Sequence, residues 1–344
     1  MHRRLLLTLA LVFLAAAPAH AVIGGHAVRA SDAPWFARVG LCGGELIAPD
    51  RVLTSGHCVQ GIPISDLNAV RVGGVTRRGI RVAMFPDWRK RNGPNAPLDD
   101  VAIVALDQPV PGVRPAALAT ARTRIPKRLR LIGTGVTLPD RRIEIGSLRQ
   151  ATLRTVSNRA CARTWRTQRG NGDERFDAAR MICAVDVNGR RPLSSACYGD
   201  SGGAMYVGSL QRPTVIGVTS WVGPGCGTDH LPTVGARVSE YRAFALNPSP
   251  VWAPVTTGSP TVTGDPRVGQ TLTCTPPAWD VAPDQVQILW ERPAAKVTRV
   301  GSGPTYVPRR SDVGEIVACH VLGTNAGGQG AAEPAPQSVV RIRS

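Results

Sequence analysis

The chain has 344 residues, of which 43% are hydrophobic and 19% are charged, a composition that excludes an intrinsically disordered protein. Lys and Arg number 41 against 24 Asp and Glu, which gives a formal net charge of +17. The basic residues are nearly all arginines, scattered along the chain without interleaved aromatic side chains, so we predict no nucleic-acid partner. An acidic substrate or an anionic surface stays open.

The N-terminal segment has the pattern of a secretory signal. Arg3 and Arg4 precede an apolar run, Leu5–Ala17, and small residues follow at Ala19 and Ala21. We therefore predict a signal peptide over 1–21. The run is shorter than the roughly 18 apolar residues that a membrane span needs, and no later stretch reaches that length. We expect a secreted, extracellular protein with no membrane span.

The next part of the chain consists of short apolar stretches separated by glycines and prolines, with weak helical periodicity. This spacing is typical of many short β-strands, so we predict an all-β barrel or sandwich rather than alternating strands and helices. The predicted strands are Leu46–Ile47, Arg51–Thr54, Val101–Leu106, Leu129–Ile132 and Val215–Thr219.

A proline-rich segment over 247–260 is predicted to be a stiff linker. It separates a first domain, 22–246, from a second domain, 261–344, and both lengths are ordinary for domains. The basic excess belongs to the first domain, because the second carries nearly balanced charges.

The cysteines indicate covalent cross-links. An even number in a chain predicted to be exported indicates four disulfides. There is no C-x-x-C pair and no histidine at zinc-ligand spacing, so we expect no metal and no cofactor. The eight residues are Cys42, Cys58, Cys161, Cys183, Cys197, Cys226, Cys274 and Cys319.

The strongest chemical signal is the GDSGG run over 199–203, in which glycines let the backbone turn tightly around Ser201 and leave room for a substrate carbonyl. Ser201 is the candidate nucleophile. The same pattern occurs in plain glycine-rich turns and in α/β-hydrolases. In α/β-hydrolases the base follows the serine, where only His230 and His320 are available.

A serine hydroxyl needs a base whose pKa lies near the working pH, which indicates histidine. His57 is the favoured base, because it adjoins Cys58 and a bridge from Cys58 to Cys42 would fix its backbone. His230 lies in a loop rich in Gly, Pro and Asp, so we expect it to be solvated.

The base in turn needs a carboxylate that holds its tautomer. Asp100 directly precedes the apolar strand predicted over 101–106, so we expect it to be buried against His57. Asp99 is expected to be exposed near the substrate cleft.

With His57, Asp100 and Ser201 in that order, the first domain resembles the chymotrypsin-like serine proteases. The resemblance covers residues 22 to about 246 and rests on several short motifs in the right order. They are Val22–Gly25, Cys42–Ile47, Val52–Cys58, Asp100–Ile103, Cys197–Gly203 and Thr219–Trp221. It implies a double six-stranded β-barrel with the triad in the cleft between the barrels, and peptide-bond hydrolysis through an acyl-enzyme.

The resemblance also implies an oxyanion hole made by the backbone N–H groups of Gly199 and Ser201, and a hydrogen bond from Ser220 to the buried aspartate. The implied bridges are Cys42–Cys58, Cys161–Cys183 and Cys197–Cys226, each contributing roughly 2–4 kcal/mol. Three departures bear on local packing and remove no reacting group. They are Ser55-Gly56 for the usual alanines, Thr134 for the usual Trp and Ala204 for the usual Pro.

In this family a free N-terminal ammonium inserts beside the aspartate that precedes the nucleophile. Cleavage after Ala21 would expose Val22 with no propeptide between. We therefore predict that export and activation are one event, in which the Val22 ammonium pairs with Asp200.

The primary specificity pocket is read from the same resemblance. Ser195 stands where trypsin has Asp, so no buried carboxylate awaits Arg or Lys. Ser220 and Trp221 begin one wall of the pocket. The branched residues Val222 and Thr233 both stand where glycines would keep the pocket open. This resembles the elastases and predicts cleavage after small apolar residues such as Ala or Val.

In the second domain, Cys274, Trp290 and Cys319 follow one another as in immunoglobulin-like sandwiches, where a Trp packs on an inter-sheet disulfide. Val317 replaces the tyrosine of antibody-type domains, so the domain resembles a bacterial immunoglobulin-like module. We expect a spacer or adhesion role with a polymer or cell-surface ligand.

Two hypotheses follow for the whole chain. The first is a secreted serine endopeptidase acting on proteins or peptides. The alternative is a catalytically silent homologue that acts as an extracellular binding or adhesion protein. Silent homologues usually lack a triad residue, and all three are present here, which favours the protease.

Overall fold

The computed structural model describes residues 22–60, 62, 64–86, 98–135, 147–167, 176–191, 193–248, 252–293, 297–332 and 334–344. The predicted signal peptide lies outside the described residues, as do residues 249–251 of the predicted linker.

The first β-sheet is antiparallel and has seven strands, in the order β6-β5-β2-β3-β4-β8-β7. A short strand before them, β1 (His26–Ala27), joins the next sheet. The seven strands are β2 (Phe36–Val39), β3 (Cys42–Ala48), β4 (Arg51–Thr54), β5 (Val70–Val72), β6 (Val75–Arg77), β7 (Gly79–Met84) and β8 (Ala102–Leu106). The sheet curls around an apolar core that includes Leu46, Val52 and Val104.

The second sheet closes on itself. Six strands form a ring in the order β11-β10-β13-β14-β15-β12, and β12 pairs back to β11. The six ring strands are β10 (Arg128–Gly133), β11 (Arg149–Thr155), β12 (Met181–Asp186), β13 (Ala204–Gly208), β14 (Pro213–Trp221) and β15 (Thr233–Arg237), and a short strand outside the ring is β9 (Ala117–Leu118). β1 pairs with β11, and β9 runs parallel to β14.

The fold is all-β, as predicted, with one closed six-stranded barrel and one curled seven-stranded sheet in place of two six-stranded barrels. Within the described residues, the end strands β6 and β7 do not pair with each other. β7 bonds instead to the C-terminal part of the chain: Ala253 N–H donates to the Val82 carbonyl at 2.7 Å, and Met84 N–H donates to the Gly327 carbonyl at 2.7 Å.

Four of the five predicted strands lie within β3, β4, β10 and β14, and the fifth, Val101–Leu106, overlaps β8. The described residues also contain two α-helices, α1 (Asn158–Thr167) and α2 (Val238–Leu246). Short 3₁₀ turns occupy Ala30–Asp32, Gly56–Cys58, Ile64–Leu67, Arg310–Asp312 and Pro336–Ser338. None of the described helices has the length and apolar character that crossing a bilayer requires.

The C-terminal part consists of two further antiparallel sheets, β16-β17-β20 and β19-β18-β21-β22, with β23 paired to β21. The strands are β16 (Thr261–Thr263), β17 (Leu272–Thr275), β18 (Gln285–Arg292), β19 (Thr298–Ser302), β20 (Thr305–Tyr306), β21 (Ile316–Asn325), β22 (Gly328–Ala332) and β23 (Val339–Arg341). The Cys274–Cys319 disulfide joins β17 to β21, and Trp290 is fully buried beside it.

Candidate active site

His57 lies in the 3₁₀ turn that follows β4. Its neighbour Cys58 is disulfide-bonded to Cys42 at the start of β3, so the turn is covalently linked to β3. The hydroxyl of Ser55 donates to the Thr219 carbonyl in β14 at 2.7 Å, which ties the turn to the second sheet as well. The backbone around His57 is therefore fixed from both halves of the domain.

Asp100 is fully buried two residues before β8 and accepts three hydrogen bonds. One oxygen accepts from the His57 backbone N–H at 2.9 Å, and the other lies 2.7 Å from His57 Nδ1. The Ser220 hydroxyl donates to the second oxygen at 2.5 Å, the bond that the resemblance implies. A carboxylate held this way fixes the ring through Nδ1, and the other nitrogen, Nε2, lies 3.7 Å from Cys58 Sγ.

The pKa of His57 responds to two opposing influences. Burial lowers the pKa, but the charge of Asp100 and the hydrogen bond to it outweigh burial, and the net effect raises the pKa above its usual value. The side chain of His57 is 36% exposed, which leaves the imidazole accessible to a substrate.

Ser201 lies in the turn between β12 and β13. Its carbonyl oxygen accepts from the Gly43 N–H at 2.8 Å, and the N–H of Gly202 donates to the Thr219 carbonyl at 2.8 Å. Gly202 has a φ of +78°, and a Cβ there would collide with the Gly43 carbonyl oxygen and the Thr54 hydroxyl, so only glycine fits.

The Ser201 turn is thus connected to the His57 turn through β3. Ser201 bonds to Gly43, Gly43 adjoins Cys42, and Cys42 is bridged to the residue after His57. Within the described part of the chain, the Ser201 hydroxyl makes no hydrogen bond. In unliganded enzymes the bond from nucleophile to base is often long and tightens only on substrate binding.

Asp200, beside the nucleophile, is also fully buried. Its oxygens accept from Gly135 N–H at 2.8 Å and from Cys197 N–H at 2.9 Å, and the Val22 backbone N–H is a further donor. Burial raises the pKa of Asp200 to about 7 despite these bonds. Val22 is buried as well and has a φ of +48°, a strained conformation for a β-branched residue.

The residues predicted to form the specificity pocket lie together. Thr233 Oγ1 accepts from the Ala196 N–H at 3.1 Å and lies 3.2 Å from Ser195 Oγ, and both side chains are buried. Val222 is half-buried against the Cys197–Cys226 disulfide. Trp221 packs edge-on against Trp165 of α1, with ring centroids 4.2 Å apart.

Comparison with known proteins adds the family. Residues 22–245 match the family model described as Trypsin. The chain belongs to the trypsin family. Among its relatives, trypsin beta of Drosophila erecta is 28% identical over 241 residues, which are 66% of this chain and 87% of the relative.

Two other relatives align over a similar share of this trypsin-family chain. Trypsin alpha of Drosophila erecta is 29% identical over 237 residues, which are 66% of this chain and 86% of the relative. Transmembrane protease serine 5 of Homo sapiens is 28% identical over 244 residues, which are 64% of this chain and 50% of the relative. The protein is therefore a serine endopeptidase, whose substrates are proteins or peptides.

The trypsin-family domain departs from the sequence expectation at Asp99. Asp99 is 1% exposed, not open to the cleft. It forms an ion pair with Arg180, and the Tyr241 hydroxyl donates to it at 2.9 Å. Its two partners are distant in sequence, which is why the local pattern gave no sign of its burial.

Within the described residues, one group of His, Cys, Asp or Glu side chains is close enough to hold a metal ion: Cys42, His57 and Cys58, whose ligand atoms lie within 4.8 Å of one another. The two sulfurs are bonded to each other, so neither is available as a thiolate. These three side chains are close together because His57 packs against this disulfide.

Proposed function

We propose that this trypsin-family chain is a secreted endopeptidase that cleaves peptide bonds through a triad of His57, Asp100 and Ser201. The observation that carries the proposal is the buried Asp100 carboxylate 2.7 Å from His57 Nδ1, with the Ser201 turn bonded to the strand that is bridged beside His57. Nδ1–H donates to Asp100, so Nε2 is the nitrogen that accepts the serine proton.

The reaction has two stages. Ser201 Oγ attacks the substrate carbonyl carbon while His57 Nε2 takes the hydroxyl proton, and the buried Asp100 charge stabilises the imidazolium. His57 then returns the proton to the leaving amine, which leaves an acyl-enzyme on Ser201. Water, deprotonated by His57, attacks the ester carbonyl, and His57 then returns that proton to Ser201 Oγ as the new carboxylic acid leaves.

The oxyanion of each tetrahedral intermediate is assigned to the N–H groups of Gly199 and Ser201. Gly199 has a φ of +88°, and its backbone lies against Gly135, whose N–H holds Asp200. The position of Asp200 and the shape of this turn are thus coupled. Removing one oxyanion donor typically costs about 10²–10³ in turnover.

A fluorophosphonate probe tests the triad. We expect covalent labelling of one serine, Ser201, and no labelling of Ser201→Ala. Matched labelling of Ser201→Ala and the parent chain, or none of either in a folded and processed protein, would support the silent homologue instead. Circular dichroism of both samples verifies that each is folded.

Activation is proposed to follow from cleavage between Ala21 and Val22. The φ angle of Val22 is strained, and this angle exists only while Val22 is joined to residue 21. Cleavage of the peptide bond between them therefore removes the strain. The new ammonium would lie where the Val22 N–H already bonds to Asp200, and a positive charge there favours ionised Asp200. N-terminal sequencing of active secreted protein should begin at Val22; full activity with a start at His20 or Ile23 contradicts the proposal.

Specificity for small apolar residues is proposed from the packed pocket base. Thr233 Oγ1 lies 3.2 Å from Ser195 Oγ, and Ser195 offers a hydroxyl where trypsin has a carboxylate for a basic side chain. A chromogenic peptide series is expected to rank Ala and Val above Phe, Arg and Lys at the residue before the cleaved bond. Preference for Arg, or for Phe over Ala, would refute this pocket assignment.

The C-terminal sandwich is proposed to be an immunoglobulin-like module with a spacer or adhesion role. Its support is the disulfide between its two sheets with Trp290 buried beside it. The module also contacts the protease domain through Arg81 and Asp280, 2.6 Å apart. Pull-down on cell-wall polymer with residues 252–344 deleted tests the adhesion role, because deletion should abolish retention.

A further inference from the structure

A cavity of about 320 Å³ lies outside the triad and the specificity pocket. It is bounded by β2, the β5–β6 hairpin and the ends of the segment between β10 and β11. This volume is at the lower end of the range typical of small-molecule sites, roughly 300–1,000 Å³. None of the residues that line it takes part in the proposed reaction.

Two arginines line the cavity without a partner. Arg38 and Arg71 are directly opposite each other in the antiparallel register of β2 and β5, an arrangement in which like charges repel. Burial and the charge of Arg71 lower the pKa of Arg38. Among the described residues, neither guanidinium has a hydrogen bond or a carboxylate within 4.0 Å. An anion bound between them would relieve the repulsion.

Thr134 supplies a second, independent sign of a missing ligand. The residue is 5% exposed and lines the cavity, and its hydroxyl is buried with no hydrogen-bond partner in the described part of the chain. Buried hydroxyl groups are normally satisfied, because an unmade hydrogen bond costs folding free energy. A ligand oxygen would satisfy it.

The remaining walls are apolar. Phe36, Val72 and Leu148 are all buried, and all three line this space. A small inorganic anion would pair with the arginines but leave the apolar walls uncovered, and a hydrocarbon would do the reverse. A ligand that uses both parts carries a negative charge on one side and a ring or branched chain on the other.

We propose that this cavity binds a carboxylate carried by an apolar, ring-sized group, with the carboxylate on Arg38 and Arg71 and a ligand oxygen on Thr134. Two sources share this chemistry: a free aromatic acid, and the C-terminal residue of a peptide. The site is independent of the triad, so its test needs no catalysis.

The experiment is isothermal titration of the full processed chain carrying Ser201→Ala, which prevents autolysis. Indole-3-propionate is expected to bind at least about tenfold more tightly than indole or propionate alone. Arg71→Gln and Arg38→Gln should each weaken its binding at least about tenfold, whereas Arg122→Gln, at an exposed arginine elsewhere, should change it less than twofold. Thr134→Trp should abolish binding by filling the cavity.

The sources are separated by a short peptide. Binding of Ala-Ala-Phe with a free carboxylate, and not of its amide, indicates a peptide C terminus; binding of the aromatic acid alone indicates a free acid. Equal affinity for indole and indole-3-propionate, or affinity unchanged by both arginine substitutions, overturns the proposal. Arg71 is exposed, so Arg71→Gln should fold even if Arg38→Gln does not, and thermal melts of each variant verify this.

Discussion

The two halves of the catalytic domain hold their parts of the site in different ways. In the curled first sheet, His57 and Asp100 are fixed by paired strands, a disulfide and three hydrogen bonds to one carboxylate. In the closed second barrel, the turn that carries Ser201 needs positive φ angles at Gly199 and Gly202, and the buried Asp200 beside it bonds to Val22 at the far end of the domain.

This difference indicates which half of the active site activity can be regulated through. The acid–base half is held by its own strands and by bonds from Thr219 and Ser220 of the second barrel. In the nucleophile half, Asp200 accepts from the backbone nitrogen of Val22, the residue that the proposed cleavage would make N-terminal. Breaking each half separately should therefore give different signatures.

The largest effect is expected from Asp100→Asn. An amide in this position can hold His57 in the wrong tautomer, with Nδ1 as an acceptor, and cannot stabilise the imidazolium, so kcat should fall by about 10⁴ at neutral pH. Steady-state kinetics against a chromogenic peptide measures it. Fluorophosphonate labelling should slow in parallel, and a loss of less than tenfold would contradict the role of Asp100.

The pH profile sharpens the same point. Only neutral His57 can accept the serine proton, and Asp100 raises the pKa of His57, so kcat/KM should rise with pH through a midpoint above 6.5. Ser220→Ala removes one hydrogen bond that supports ionised Asp100 and serves as a milder companion variant. An acid limb below 6.5 in the parent enzyme would contradict the geometry.

A smaller loss, about 10²–10³ in kcat, is expected from Asp200→Asn, because it disturbs the oxyanion turn and leaves the triad intact. If cleavage exposes the Val22 ammonium as proposed, pairing with Asp200 favours its charged form, so its support would be full below about 7.7–8.0 and lost as pH rises further. Activity of the parent should therefore fall at alkaline pH. Asp200→Asn should lack this alkaline loss, and an identical alkaline limb in both proteins contradicts the pairing.

The serine-endopeptidase class was predictable from sequence, because few residue types can perform this chemistry. Ser201 and His57 stand in short motifs with glycine or cysteine neighbours, and Asp100 directly precedes a predicted apolar strand. The burial of Asp99 was not predictable, since its partners Arg180 and Tyr241 lie 81 and 142 residues away. A local pattern carries no information about pairings at that distance.

The fold was predictable to the same degree. Apolar stretches bounded by Gly and Pro predicted where strands lie, but such stretches do not specify which strand edges are left unpaired within a sheet. The edge of β7 bonds to residues 253 and 327, a contact between distant segments that strand periodicity cannot reveal. For the same reason the curled seven-stranded sheet differs from the expected six-stranded barrel.

The smallest effect on activity is expected from substitution of Glu45, a buried side chain of the first sheet whose carboxyl group lacks the partners that His57 and Asp100 have. Glu45 lies in β3, is fully buried, and neither carboxylate oxygen has a hydrogen-bond partner among the described residues. Burial raises the pKa of Glu45 well above its usual value. The folded protein therefore keeps a proton that the unfolded chain loses above about pH 4.5, and stability falls with rising pH until the native group ionises as well.

Glu45→Met replaces this unpartnered carboxyl with an apolar side chain of similar volume, so it should raise the free energy of unfolding by about 1–3 kcal/mol at pH 8. Urea denaturation at pH 8 and pH 4.5, on the Ser201→Ala background, measures the gain, which should shrink at the lower pH. Glu45→Gln is the matched control, since it keeps the shape and a polar group but cannot ionise. In the active enzyme, kcat/KM of Glu45→Met should stay within about twofold of the parent, because the rigid half holds His57 and Asp100 through other bonds. A destabilised Glu45→Met would mean that the carboxyl has a partner in solution and that the first half depends on it.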